Sequence, residues 1–210
     1  MVHSFTLTLF RHGLTRENEK RQYLGWTNAP LSRKGKLETK ELAKKLKGVN
    51  PDKIITSDLI RCQQTTNLLF PNRKSLKMSD FREMHFGDFE GKSYAELKKK
   101  EEYQDWLNSS FKLSPANGES FSIFADRIEE GLAKVIDLLE PEDMNYLLVS
   151  HAGVIRFLLS NLVNSEKEFF DWQVPHGRGY QLNWENIKSF RRLEKCKSLS
   201  VVPSMEKRNG

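Results

Sequence analysis

The 210-residue chain predicts an α/β fold, a three-layer sandwich with a mostly parallel sheet and helices on both faces. Two observations carry that reading. Short apolar runs alternate along the chain with amphipathic stretches of helical period, and neither repeats nor a low-complexity linker divide it. A third follows from the fold itself. Ligands of such sheets gather beyond the carboxyl ends of the strands, and in this chain the residues just past the apolar runs are chemical in character.

Residues 5–10 read as the first strand, because Thr, Phe and Leu favour a pleated surface. Residues 32–47 read as a helix: Ser32 can cap it, Leu42, Ala43 and Leu46 share a face, and Gly48 can stop it. A short strand at 53–56 and a helix at 59–69, ended by Pro71, come next. Residues 93–111 look helical and very polar, with i,i+4 charge pairing. Phe121, Phe124, Ile128, Leu132, Val135, Ile136 and Leu139 recur at spacings of three and four, the clearest helix in the chain. A buried strand at 146–149 leads into a helix over 153–163. Gly179–Trp184 is the last expected strand, with 189–193 as its possible partner.

Composition narrows the setting. Thirty per cent of residues are charged and the mean hydropathy is −0.62, and no window approaches the roughly 20 apolar residues of a membrane helix. The first residues lack the basic and apolar regions of a secretory signal. Cys62 and Cys196 form no paired pattern, which fits a reducing, cytoplasmic compartment. Of the net charge of +6, five units fall from Ile187 onward, where seven Lys/Arg stand against Glu194 and Glu206. The body is therefore near neutral, which argues against nucleic acid as a partner. Residues 1–197 are expected to form one domain, and 198–210 a basic, flexible tail.

The strand ends carry the chemistry. The first ends at Arg11-His12-Gly13. The second ends at Ser57-Asp58, with Arg61 one helical turn beyond. The 146–149 strand ends at Ser150-His151-Ala152-Gly153. Two histidines and two arginines thus converge on one sheet edge. Two guanidinium forks imply a dianion, most commonly a phosphoryl group. Gly13 and Gly153 would let backbone N–H groups approach it, and Asn18 adds an amide donor. One histidine can donate as a cation while the other attacks phosphorus as a neutral nucleophile, provided a backbone carbonyl holds its second nitrogen. The leaving alkoxide needs a proton, and Glu83, Asp88 and Glu90 are the carboxyl candidates. No HxH, HExxH or Cys/His spacing points to a metal, and no cofactor is implied. His85 and His176 carry no assigned chemistry, and His3 reads as surface. Trp26 is a candidate pocket wall.

The stretches "RHGLTRENE", "GWTNAPLSRKG", "SDLIRCQQT", "REMHFGDFEG" and "SHAGVIR", in that order over about 150 residues, resemble the histidine phosphatase superfamily. The branch is the one that includes phosphoglycerate mutases, and the look is closest to small phosphatases such as ribazole phosphatases. The resemblance implies that His12 is the phosphorylated nucleophile, that Arg11, Asn18, Arg61 and a protonated His151 hold the phosphoryl group, and that Glu83 is the proton donor. The expected activity is metal-independent hydrolysis of a small phosphomonoester through phosphohistidine. The alternatives are mutase-type phosphoryl transfer and phosphate binding without turnover. "PANGES" resembles a substrate-side loop of the phosphatases, Cys62 stands where the family has a small alanine, and "PHGRGYQL" matches no family pattern.

Overall fold

The computed structural model describes residues 4–46, 49–109, 112–140 and 144–203; His3, Gly48, Phe111 and residues 204–210 lie outside these. In chain order the elements are β1 (Phe5–Arg11), α1 (Arg16–Glu19), α2 (Arg33–Lys45), β2 (Lys53–Ser57), α3 (Ile60–Leu69), β3 (Leu76–Met78), α4 (Tyr94–Leu97), α5 (Glu101–Asn108), α6 (Phe121–Asp137), β4 (Asn145–Ser150), α7 (Ala152–Leu162), β5 (Gly179–Trp184), α8 (Ile187–Arg191) and β6 (Ser198–Val202). The six strands form one sheet in the order β3-β2-β4-β1-β5-β6. β1, β2, β3 and β4 run parallel, while β5 is antiparallel to both β1 and β6.

Alternation along the central strands sorts the core onto two faces. Phe5, Leu7 and Leu9 of β1, Ile55 of β2, and Tyr146 and Leu148 of β4 pack with Phe124, Ile128, Leu132 and Val135 of α6 and with the apolar face of α7. Phe10, Ile54, Leu147 and Val149 pack on the other face with Leu42 of α2 and Cys62 and Leu69 of α3. A strand buried on both faces reads as a continuous apolar run, as β4 does in Tyr146–Val149, whereas β1 buries Thr6 and Thr8 between its apolar residues. Burying each such Leu or Phe is worth about 1.5–3 kcal/mol, and that anchors the helices to the sheet.

Three expectations are corrected. The polar helix of 93–111 is two helices, α4 and α5, since Leu97, Tyr103 and Trp106 are all buried and a six-residue gap cannot put Leu97 and Tyr103 on one helical face. The 189–193 region is not a strand. Asn186 caps α8 by accepting from Ser189 N (3.0 Å), Phe190 stacks on Phe5 at 4.5 Å, and Leu193 turns the chain at φ 52°. The partner of β5 is instead β6, with Leu199 opposite Leu182, so the presumed tail begins with an ordered edge strand. Leu199 and Val202 are half-buried against the two core faces, which gives 198–202 its reason to pair.

Candidate active site at the carboxyl ends of the central strands

The parallel register sets Arg11 opposite Ser150, and His12 N–H donates to Ser150 O at 2.9 Å, extending the ladder one residue past β1. Both catalytic candidates, His12 and His151, are therefore delivered by neighbouring strand ends. Their rings lie 5.1 Å apart, edge to face.

His12 is buried, and its Nδ1 sits 2.7 Å from Gly13 O. A carbonyl only accepts, so Nδ1 carries the proton and Nε2 presents a bare lone pair. Burial, then the charges of Arg61 and Arg11, hold the ring well below the usual histidine range, so it is neutral at pH 7. His151 differs from its expected cationic form. Its Nδ1 accepts from Arg61 Nε at 3.3 Å, and a guanidinium only donates, so this nitrogen is unprotonated. Its Nε2–H then donates to Ser57 Oγ at 3.0 Å. Burial, Arg61 and His12 push its pKa well down, and the ring is neutral within the protein's own field.

Arg61, in the first turn of α3, is completely buried. Besides His151 it donates to Thr27 O (2.9 Å) and Gly25 O (2.5 Å). Arg11 donates from Nη1 to Val174 O at 2.8 Å, while its Nε is buried with no partner among the described residues. Burial above all lowers its pKa to about 10. Such a buried cluster of cations and imidazoles is costly by itself and is relieved by an anion.

Glu83 stands at the start of α7. Its Oε2 accepts from Gly153 N and its Oε1 from Met84 N, both at 3.0 Å, so the carboxylate meets the positive end of an 11-residue helix. This corrects the roles expected of the glycines. A Cβ on Gly153 would lie 2.2 Å from Glu83 Oε1, and one on Gly13 would lie 2.4 Å from Thr39 Oγ1 of α2. Gly13 N–H is also taken, by Thr65 Oγ1 at 2.9 Å. Both glycines make room for protein groups, and neither N–H is free for a ligand. Asn18 is engaged as well: it closes a capping box at α1, with Oδ1 accepting from Thr15 N (3.3 Å), which leaves its amide NH2 as the available donor.

Of the three candidate carboxylates, only Glu83 lines the cavity of about 240 Å³ beside the cluster. That cavity is walled mainly by Tyr23, Phe86, Trp106, Phe121, Phe124 and Phe169, with Arg156 at one side. Asp88 and Glu90 line a separate outer cavity with His85. Asp88 binds Asn117 there, and the His85 ring lies 4.8 Å from that of Trp26, tilted by 42°. Trp26 is therefore no wall of the inner cavity. Its Nε1 donates to Glu83 O (3.0 Å), and Arg82 lies 4.7 Å over its ring. Arg127 donates to Asp80 O, Arg82 O and Glu119, which braces the segment leading to Glu83. "PANGES" packs back-to-back with 85–88 through Glu119 N to His85 O, and reaches the cavity only through Phe121 and Phe124 that follow it.

Sequence reasoning left His176 unassigned. Its Nδ1 donates to His12 O at 2.7 Å and its ring lies 5.5 Å from that of His12, with burial lowering its pKa to about 4. Ser57, which takes the His151 Nε2–H, is visible in the sequence only as the residue ending β2.

Residues 7–192 match the family model of the histidine phosphatase superfamily, branch 1. The adenosylcobalamin/alpha-ribazole phosphatase of Escherichia coli is 32% identical over 176 residues, covering 81% of this chain and 86% of the relative. Phosphoglycerate mutase 1 of Saccharomyces cerevisiae is 34% identical, over 81% of this chain and 83% of its own. Among solved structures, a putative alpha-ribazole-5'-P phosphatase from Escherichia coli superposes with a TM-score of 0.78 at 30% identity, covering 85% of this chain and 90% of that one.

Proposed function

Because the chain belongs to the histidine phosphatase superfamily, we propose that it hydrolyses phosphomonoesters through a phosphohistidine formed on His12. The observation that carries this reading is the Nδ1–H bond from His12 to Gly13 O, which leaves a bare Nε2 among buried cations. Nε2 attacks phosphorus in line with the ester oxygen, and the P–O bond to the leaving group breaks. Arg11, Arg61 and the Asn18 amide donate to the phosphoryl oxygens, spreading the charge that develops there. His151, whose Nε2–H is held by Ser57 Oγ and whose Nδ1 accepts from Arg61, orients that guanidinium beside the phosphoryl group. Glu83 is the proton donor to the leaving alkoxide. As a carboxylate it then takes a proton from the water that cleaves the N–P bond, regenerating His12. Each step uses side chains of this chain alone, which supports a metal-independent reaction.

The cavity next to Glu83 is the leaving-group side, and its aromatic lining supports an alcohol that carries a flat apolar ring. The Escherichia coli relatives, named as alpha-ribazole phosphatases, make alpha-ribazole 5'-phosphate one candidate. The second reading, mutase-type transfer to another hydroxyl, rests on the yeast relative. The mostly aromatic lining favours it less than the first reading, although Arg156 at one side of the cavity offers a partner for a carboxylate. Two free, buried cysteines support a reducing, cytoplasmic setting. No helix among the described residues is long and apolar enough to cross a membrane.

The test is turnover, in excess chelator, of p-nitrophenyl phosphate, alpha-ribazole 5'-phosphate and 3-phosphoglycerate. Phosphate release is expected, with kcat/KM at least about tenfold higher for the ring-bearing esters. Isomerised phosphoglycerate without phosphate release would favour the mutase, and no turnover of any ester would favour a binding protein.

A further inference from the structure

We propose that Glu90 is a positioning residue that sets Arg61 for the phosphoryl group by clamping the 25–27 loop, whose carbonyls hold the guanidinium. The inference rests on the reading of Arg61 as a phosphate ligand. Glu90 follows the 3₁₀ turn Gly87–Phe89, and its side chain is only 9% exposed. One carboxylate collects donors from two segments. Oε1 accepts from Trp26 N at 2.7 Å and from Phe86 N at 3.3 Å, and Oε2 accepts from Thr27 N at 2.7 Å and from the Thr27 hydroxyl. The loop so held turns its other face to α3. Gly25 O and Thr27 O accept from the two terminal nitrogens of Arg61, and Asn28 Oδ1 caps the same helical turn by accepting from Ile60 N at 2.7 Å.

The fit leaves the loop little freedom. A Cβ at Gly25 would lie 2.2 Å from Met84 O and 2.6 Å from Glu90 Oε1, so the loop is pressed between Glu90 and the segment that carries Glu83. Arg61 is held on three sides, by two loop carbonyls and His151 Nδ1. A long side chain with several soft torsions has one orientation only while those acceptors stay in place. Glu90 fixes two of them from behind. It does not line the cavity on the leaving-group side, so it acts through Arg61 and not as the proton donor.

Glu90→Gln puts an amide NH2 where donors converge and loosens the loop. The expected result is a 10- to 100-fold rise, order of magnitude about that of a 1 Å misplacement, in the inhibition constant of inorganic phosphate, with kcat/KM falling by a similar factor. Because the side chain of the donor Glu83 is not altered, the loss should be equal for p-nitrophenyl phosphate and for esters of poor leaving groups. In an Arg61→Lys background the same change should add less than about threefold, since the group it positions is gone. Glu90→Asp, which keeps the charge, should recover part of the affinity. Thr27→Val removes one donor from an exposed side chain without disturbing backbone bonds, and should weaken phosphate inhibition in the same direction even where Glu90→Gln folds poorly. A lowered Tm with unchanged phosphate inhibition in both variants, or full additivity with Arg61→Lys, would overturn the proposal while leaving the phosphatase reading intact. A wild-type protein that neither turns over esters nor is inhibited by phosphate would remove both.

Discussion

On one side of Glu83 lie His12, His151 and Arg61, each at 3% exposure or less, with ring nitrogens and guanidinium fixed by named partners. On the other side lies a cavity walled by aromatic rings drawn from Tyr23, the 84–86 turn, α5, α6 and the 169–170 segment. The first side is held by directional bonds, in which a single rotated ring changes which atom is nucleophilic. The second is held by area and shape, where one ring can stand in for another. Under the proposed function, the first region carries the chemistry and the second the choice of substrate.

Substitutions should separate the two sides. Arg61→Ala is expected to lower kcat by about 10²–10³ for every phosphomonoester, because it removes charge stabilisation common to all of them. A loss confined to one class of ester would blur the division.

A mid-sized effect is the pH dependence of stability. His12, His151 and His176 all have native pKa values below the unfolded value near 6.5. Between those limits the unfolded chain binds protons that the native state refuses, so stability falls as pH drops below about 6.5, by about 1.4 kcal/mol per unit for each histidine. For His176 the loss continues until its native pKa of about 4. His176→Asn should therefore narrow the gap in Tm between pH 7 and pH 5 relative to wild type. Parallel declines in the two proteins would mean that His176 does not resist protonation.

The smallest effect belongs to the aromatic side. Phe170, 52% exposed at the cavity rim, should on replacement by Ala raise KM a few-fold for ring-bearing esters, p-nitrophenyl phosphate among them, and leave kcat nearly unchanged. A large fall in kcat would show that the wall takes part in the chemistry.

The same contrast explains what the sequence disclosed. Strand ends are local, so Arg11, His12 and His151 could be assigned to one edge from apolar runs alone, and the backbone acceptor for His12 Nδ1 could be anticipated from the turn that follows β1. Partners separated by long stretches of chain could not. Nothing in "FGDFEG" says that Glu90 holds residues 26 and 27, or that Gly13 yields to Thr39 and Gly153 to Glu83. A cationic His151 was expected from its task, yet its two ring nitrogens are set by Ser57 and Arg61, 94 and 90 residues away in the chain. "SLSVV" was grouped with the basic residues around it, and its pairing with β5 depends on an edge that only the folded sheet provides. The aromatic wall was least legible, since Phe and Trp at helical spacing look the same whether they face a core or a cavity.

The most direct test of the central claim is rapid-quench trapping of the phosphoenzyme in alkali, where phosphohistidine survives, followed by mass spectrometry of the labelled peptide. The protein should carry one phosphoryl group on His12 during turnover and none in His12→Ala, which should also lose on the order of 10⁴-fold in kcat. Label on His151, or unimpaired turnover by His12→Ala, would contradict the account.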